Sequence, residues 1–403
     1  MGKSFGKSLL DTLVRETKRI RTPGRPRQSQ KKQKPRFKWG YPVRDVEIAQ
    51  KYLKFKPLDE ETRRYLTTPD YPTCPFHDFV GNRNAVSALC DAAYVALGNE
   101  DHQCSEIAWG LFGPTSTGKT TMARLMAEML MLPFIKISGV KSTDDILVKI
   151  NETLRQQYHF GIVFMQREGH FELPPMVILI DEFHDMPPKV VNGLLTAIEH
   201  DDAYLSTPEG FTADTSKVCW MVATTESGDL FGPMVNRFSP LRLKPYTYDE
   251  VALMVLKENG DWSIPLCDKV ARYSERLPRV AKRIARQMRT TKQANPNMTW
   301  DDVANKVRII NEIDEHGMDL RRVAALKALG QTGPLSARNL GYQNGVNCEE
   351  SEVRKDILPP LMSGAEDQPR LVSMSSRGVE ITEHGINELL KRGIEPTFYI
   401  EEE

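Results

Sequence analysis

Eight residues, Gly113-Pro114-Thr115-Ser116-Thr117-Gly118-Lys119-Thr120, constrain the fold more than any other stretch of this 403-residue chain. They spell G-x-x-x-x-G-K-[ST], a loop whose glycines let the backbone turn sharply and aim successive N–H groups at phosphate oxygens. The apolar run "EIAWGLF" before the loop has the character of a buried strand. After it, "TTMARLMAEMLML" places Met122, Leu125, Met126 and Met129 on one face at helical spacing. A strand feeding such a loop and a helix commits this region to an α/β architecture. The N–H groups of Thr115 to Thr120 can surround a β-phosphate at the positive end of the helix, with Pro114 and Thr121 flanking them. Lys119 would bridge β- and γ-oxygens and the Thr120 hydroxyl would ligate Mg²⁺, which makes ATP and Mg²⁺ the expected ligands.

Strands and helices alternate on both sides of the loop. "NRNAVSALCDAAYVALG" has helical spacing, and a further short helix is expected in "RDVEIAQKYLKF". "PFIKIS" is a strand, and Ser142 with Asp145 forms a capping box that opens the helix "STDDILVKINETLRQQY". "FGIVFMQREGHFELPP" reads as a hairpin insertion, "MVILIDEF" as a buried strand, "PKVVNGLLTAIEH" as a helix and "KVCWMVATT" as another strand. This order implies a mostly parallel sheet covered on both faces. Beyond Pro245 the strands stop. Thr247 and Glu250 form a second capping box, helices run to about residue 294, and Thr299 with Asp302 opens a last, separate unit. There "DLRRVAALKALG", "SARNLGYQNG" and "CEESEVRKDILPPLM" are three helices, and "RLVSMSSRGVEIT" gives two strands around Arg377-Gly378, the pattern of a winged helix.

Two carboxylates end the strand "MVILI". Asp181 stands where a Mg²⁺ ligand is needed, and Glu182 beside it can act as general base on an attacking water. His184 and Asp185 are expected first as residues that open the following helix.

Strand–loop–helix, then "LIDEF", then a strand ending in "ATT" resembles the AAA+ ATPases. The resemblance implies that Thr224 senses the γ-phosphate, with Thr225 the near alternative. It implies an arginine finger at Arg237 in "MVNRFSP" that reaches a neighbouring subunit's nucleotide, and a second sensor at Arg279 in "ERLPRVAKRIARQM". An arginine needed in trans implies a homo-oligomeric ring, a hexamer. "FHDFVGNRNAV", "LIDEFHDM", "MVATTESG", "LPRVAKRIARQM" and "INEIDEHGMDLRRVAALKAL" resemble the RuvB family of Holliday-junction branch-migration motors, over most of residues 72–392. In that family Val80 and Gly81 match the turn that holds adenine. The expected fold is therefore an AAA+ P-loop core with a mostly parallel sheet, an all-helical lid and a C-terminal winged helix. The expected division is a basic arm at 1–45, a linker helix at 46–72, the large ATPase domain at 73–246, the lid at 247–297, the winged helix at 298–396 and an acidic tail at 397–403.

Zero net charge hides an asymmetry. Residues 1–40 hold 13 Lys/Arg and 2 acids, which the rest of the chain offsets with 41 basic and 52 acidic residues. The arm lacks apolar periodicity and is expected to be disordered alone. Its Arg25, Arg27, Lys31 and Lys32 are the expected nucleic-acid contacts, the Gly24-Arg25-Pro26-Arg27 core resembling an AT-hook; a solvated tail is the bland alternative. In the last unit, Glu349, Glu350, Glu352 and Asp356 make the third helix a poor phosphate face, so Arg370 and Arg377 on the wing are the better DNA candidates. Six scattered cysteines without a C-x-x-C pair point to reduced thiols in a cytoplasmic, nucleoid-associated protein, and no run is apolar enough to span a bilayer. The readings in play are a motor on double-stranded or branched DNA and a loader that places a partner on DNA. A RuvA-like, recombinase or transposase partner is expected. A protein-remodelling enzyme is disfavoured because "SGVKSTDD" offers no pore-loop aromatic. The basic arm, the inserted segment Tyr158–Pro175 and the shortened stretch before "ATT" depart from the family pattern.

Overall fold

Three strands that are apolar at nearly every position form the middle of one sheet. The structure, a computed structural model, describes residues 57–99, 108–158, 170–199, 203–206, 212–225, 237–362 and 369–397. The arm with Arg25, Arg27, Lys31 and Lys32, the expected helix "RDVEIAQKYLKF", residues 159–169 of the inserted segment and Glu401–Glu403 lie outside the described residues. The chain divides into two units, Met1–Leu243 and Lys244–Glu403.

In the first unit the order is α1 (Glu60–Thr67), α2 (Arg83–Ala96), β1 (Ala108–Phe112), α3 (Lys119–Met129), β2 (Phe134–Ile137), α4 (Thr143–Gln157), β3 (His170–Glu172), β4 (Met176–Ile180), α5 (Pro188–Ala197), β5 (Tyr204–Ser206), β6 (Thr212–Asp214), β7 (Val218–Thr224) and β8 (Phe238–Arg242). Five strands run parallel in the order β2-β4-β7-β1-β8. Side chains alternate across the sheet, so each strand feeds two cores. Ile178, Ile180, Val218, Trp220 and Val222 face one way, against Ile146, Ile150 and Leu154 of α4 and Val190 and Leu194 of α5. Val177, Leu179, Cys219, Met221 and Ala223 face the other, against Leu89 and Ala93 of α2 and Met122 and Met126 of α3. Burial on both faces is why these strands are continuously hydrophobic. β8, unmarked in the sequence, sits at the edge, where Pro240 removes no hydrogen bond that a further strand would need.

The capping box at Ser142 and Asp145 opens α4 as its spacing predicts. Most of the inserted segment, with the hairpin expected there, lies outside the described residues. Its described end, β3, pairs in parallel with β6, and β6 pairs antiparallel with β5, making a separate three-stranded sheet. Among the described residues β3 thus finds a partner in the stretch before β7.

The second unit contains α6 (Tyr248–Glu258), α7 (Ile264–Tyr273), α8 (Pro278–Ala294), α9 (Trp300–Ile310), α10 (Leu320–Thr332), α11 (Ala337–Gly341), α12 (Glu350–Glu352), a π-helical turn (Val353–Ile357), α13 (Leu358–Met362), β9 (Val372–Ser375), β10 (Gly378–Ile381) and α14 (Glu383–Lys391). Capping boxes open α6 at Thr247 and α9 at Thr299. α9 was expected to open the last unit. Instead its Val303, Ala304 and Val307 join the core built by α6, α7 and α8. The Trp300 ring lies 5.1 Å from that of Trp262, with Arg289 over Trp262 and Lys292 over Trp300. A second core unites α10, α11, the π turn, α13, the β9–β10 hairpin and α14. The expected third helix is interrupted by its own prolines. Pro360 has no N–H to offer the Asp356 carbonyl, and that oxygen instead accepts from Arg322 Nη2 at 3.0 Å. Arg322 is also ion-paired with Glu275, and burial pulls its guanidinium down to about 10.

Arg392, only 5% exposed, donates to Asp314 and Glu388, both at 2.5 Å. Burial raises the Glu388 carboxyl, but the hydrogen bonds from Arg392 and Lys391 outweigh it and leave the group below its ordinary 4.5. A depressed folded-state value means that Glu388 contributes stability above the ordinary value and loses it as pH falls through the folded one. Arg392→Ala takes the buried arginine from two largely covered carboxylates, leaving Glu388 to Lys391 and Asp314 to backbone N–H groups, and should cost about 3 kcal/mol in urea unfolding, with a flatter loss of stability in acid. In the first unit, Leu179→Ala, at a fully buried site, should cost about 2–5 kcal/mol by the same measurement.

Candidate nucleotide-binding active site

The loop between β1 and α3 is braced at its base. Gly113 N–H donates to the Thr224 carbonyl at 3.3 Å, and Leu243 N–H to the Phe112 carbonyl at 2.7 Å. A Cβ at Gly113 would stand 2.5 Å from the Leu243 carbonyl oxygen, so only glycine fits this approach. Gly118 turns into α3 with φ of 91°, and Ser116 holds a left-handed φ of 64°, backbone strain of the kind stored at ligand sites. Thr117 Oγ1 donates to the Pro114 carbonyl at 2.9 Å. Lys119 Nζ folds back to the carbonyls of Gly113 at 2.7 Å and Pro114 at 2.8 Å. No side chain caps the N-terminus of α3, so its first-turn N–H groups remain directed at the loop. Thr115 and Thr121 are exposed at its surface.

Asp181 follows β4, its N–H held by the Ile137 carbonyl at 2.8 Å. Its Oδ1 accepts from Glu182 N–H at 3.2 Å. Its Oδ2 lies 3.5 Å from Thr120 Oγ1 and 2.6 Å from Lys136 Nζ. A hydroxyl and a carboxylate meeting at this spacing are the hard oxygen donors that Mg²⁺ takes, so these residues fit that ion. Lys136 on β2 was not foreseen. Its side chain is exposed, so the sequence carries no demand for a carboxylate partner.

Glu182 has a left-handed φ of 53° and a half-exposed side chain. Thr224, ending β7, is buried, and its hydroxyl lies 3.1 Å from His184 Nδ1. His184 Nε2 in turn faces Glu182 Oε2 at 3.8 Å and Asp185 Oδ1 at 3.7 Å. The expectation that His184 merely opens a helix is incomplete, because its ring spans from the strand end to the acid. Thr225 lies past the strand and is less buried than Thr224.

The first unit thus brings together Gly113–Thr120, Asp181, Glu182 and Thr224. Val80 and Gly81 are both buried, and Gly81 and Asn82 take consecutive left-handed conformations that turn the chain into α2. Arg237 is ion-paired within its own chain, Nη2 to Glu199 Oε1 at 2.5 Å. In the second unit Arg279 is exposed in the first turn of α8. Arg370 and Arg377 are exposed beside the β9–β10 hairpin, Arg377 donating to Glu380 at 3.2 Å.

Residues 110–246 match the family model "AAA: ATPase family associated with various cellular activities (AAA)". This segment is an AAA ATPase domain, and the loop between β1 and α3 lies within it. Among solved structures, Thermotoga maritima RuvB, described as a Holliday junction branch migration motor, shares 22% identity at a TM-score of 0.56, covering 77% of this chain and 95% of that one. A point mutant of the same protein aligns at a TM-score of 0.58 with the same identity and coverage. The chain therefore has the RuvB-type AAA+ fold. No curated protein matches the sequence. No helix among the described residues is long and apolar enough to cross a membrane.

Thr120→Val keeps the volume and removes the hydroxyl. The gain in ADP affinity that Mg²⁺ confers should fall by about tenfold in a fluorescent-nucleotide titration, roughly 1.4 kcal/mol, with unchanged thermal unfolding.

Proposed function

We propose that this chain is an ATP-hydrolysing AAA+ motor that works as a homo-oligomeric ring, six subunits in number, on double-stranded or branched DNA. The observation that supports this most is the reach of the RuvB-type fold. It covers 77% of the chain, well beyond the AAA segment at 110–246, and so reaches past the first unit into the second.

In this reading Val80 and Gly81 hold the adenine, and the N–H groups of Thr115–Thr120 with Lys119 fix the β- and γ-phosphates. Mg²⁺, bound by Thr120 and Asp181, would supply charge neutralisation between those phosphates. Glu182 accepts the proton of the attacking water, and Thr224 offers its hydroxyl to the γ-phosphate. Arg279 acts as second sensor. Arg237 acts in trans, exchanging Glu199 for the nucleotide of the next subunit, so turnover requires assembly. The C-terminal helices and hairpin act as a winged helix, with Arg370 and Arg377 and the arm residues Arg25, Arg27, Lys31 and Lys32 on DNA phosphates. A RuvA-like or recombinase-type protein is the proposed partner.

The test is ATPase rate with linear duplex, with a four-way junction and without DNA, alongside mass measurement in ATP. DNA-stimulated turnover in an oligomer is expected. Arg237→Ala should keep nucleotide binding within about twofold and lose at least about a thousandfold in turnover, the lower range for an arginine finger. Full-rate hydrolysis by a monomer would overturn the ring. Turnover without strand displacement, with a partner retained on DNA, would favour a loader over a motor.

A further inference from the structure

One group at the sheet edge has no part in the chemistry above. His184 lies in a one-turn 3₁₀ helix, Phe183–Asp185, directly after Glu182. Phe183 anchors that turn: it is 2% exposed, and its ring meets that of Phe238 edge-on at 6.2 Å. With Phe183 fixed in the core, Glu182 and His184 flank it on the site side. The imidazole is mostly covered, its side chain 19% exposed, and it spans two groups that come from different strands. Nδ1 is 3.1 Å from the Thr224 hydroxyl, while Nε2 faces the carboxylates of Glu182 at 3.8 Å and Asp185 at 3.7 Å.

We propose that His184 is a positioning residue that links the orientation of the Glu182 carboxylate to the hydrogen-bonding state of Thr224. Carboxylates only accept, so the tautomer assigned to the ring carries its hydrogen on Nε2, the nitrogen that faces Glu182 and Asp185. In the neutral ring Nδ1 is then an acceptor, and the Thr224 hydroxyl is its donor. Thr224 has a single hydroxyl hydrogen. A γ-phosphate that attracts this hydrogen takes it from His184, and the ring, relieved of that bond, is free to turn with respect to Glu182. Arrival of the third phosphate at the end of β7 thereby changes the support of the base at the end of β4. ADP lacks the group that competes for the hydrogen and leaves the link in place.

The inference rests on the hydrolysis proposed above, and the experiment separates the two. If the unaltered chain fails to turn over ATP with or without DNA, the hydrolysis reading fails. If it turns over and His184→Ala does so equally well, only the role of His184 fails. His184→Ala is expected to lower kcat about 10- to 100-fold while fluorescent-ATP affinity stays within about twofold and thermal unfolding is unchanged. His184→Asn can still meet Thr224 but is too short to reach Glu182, and should match alanine. His184→Gln restores a donor toward Glu182 and should recover part of kcat. In single-turnover measurements, Glu182→Gln combined with His184→Ala should be no slower than Glu182→Gln alone, because the histidine acts through that carboxylate. Multiplying losses in the double variant, or a loss confined to ATP affinity, would overturn the link. Should the alanine variant unfold, the asparagine and glutamine pair carries the same comparison.

Discussion

Parallel strands buried on both faces have only their ends free for polar work, and that constraint places every group at the nucleotide edge. β1, β4 and β7 are adjacent and point the same way, so their carboxyl ends lie together. The phosphate loop leaves β1, Asp181 follows β4, and Thr224 ends β7 in register with Phe112. The middles of β4 and β7 are buried and apolar apart from the sulfurs of Cys219 and Met221 and the indole N–H of Trp220, as Val177–Ile180 and Val218–Ala223 show. Chemistry is confined to the edge because the interior admits none.

Once gathered there, the polar groups satisfy one another. Lys119 and Thr117 close the loop on its own carbonyls, and Lys136 takes the same Asp181 oxygen that faces Thr120. That oxygen cannot serve an ammonium and a divalent ion equally. Two unit charges of like sign 4 Å apart repel by about 4 kcal/mol at an effective dielectric of 20, and a doubly charged ion raises the figure. Triphosphate oxygens supply the opposing negative charge. On the proposed reading Mg²⁺ and nucleotide would therefore favour each other's arrival, and Lys136 is the local counter-charge to Asp181 without them.

The parts legible in the sequence were those governed by local rules. The glycine spacing at 113–120, the uninterrupted hydrophobicity of "MVILI" and the capping boxes at Ser142, Thr247 and Thr299 each report on a few neighbouring residues, and each element formed as its pattern requires. What stayed hidden depends on contacts between distant segments. β8 is a broken apolar run whose pairing with β1 cannot be seen in "FSPLR" alone. β3 crosses to β6 some forty residues on in the sequence, and α9 joins the lid because Trp300 meets Trp262. Within the site, Asp181 and Glu182 were readable as a pair after an apolar strand. Lys136 and His184 were not, since their meaning comes from the strands beside them.

The same distinction explains the C-terminal unit, where two prolines decide which surface can meet nucleic acid. Pro359 and Pro360 follow the π-helical turn in the third helix, and Arg322 is drawn inward to the Asp356 carbonyl that Pro360 leaves without its N–H, and to Glu275. What the interrupted segment leaves outside is acidic, and Arg354 there is already held by Glu350 at 2.8 Å. On the hairpin the balance differs. Arg377 is bound only by Glu380 in an exposed pair, an interaction generally worth about 1 kcal/mol or less, which a phosphate can outcompete. Phosphate approaching the helix would meet Glu349, Glu350, Glu352 and Asp356, an excess of acid that Arg354, itself paired with Glu350, and Lys355 do not offset. Electrostatics therefore favours the hairpin over the helix as the face on which the proposed contact with a polyanion would be made.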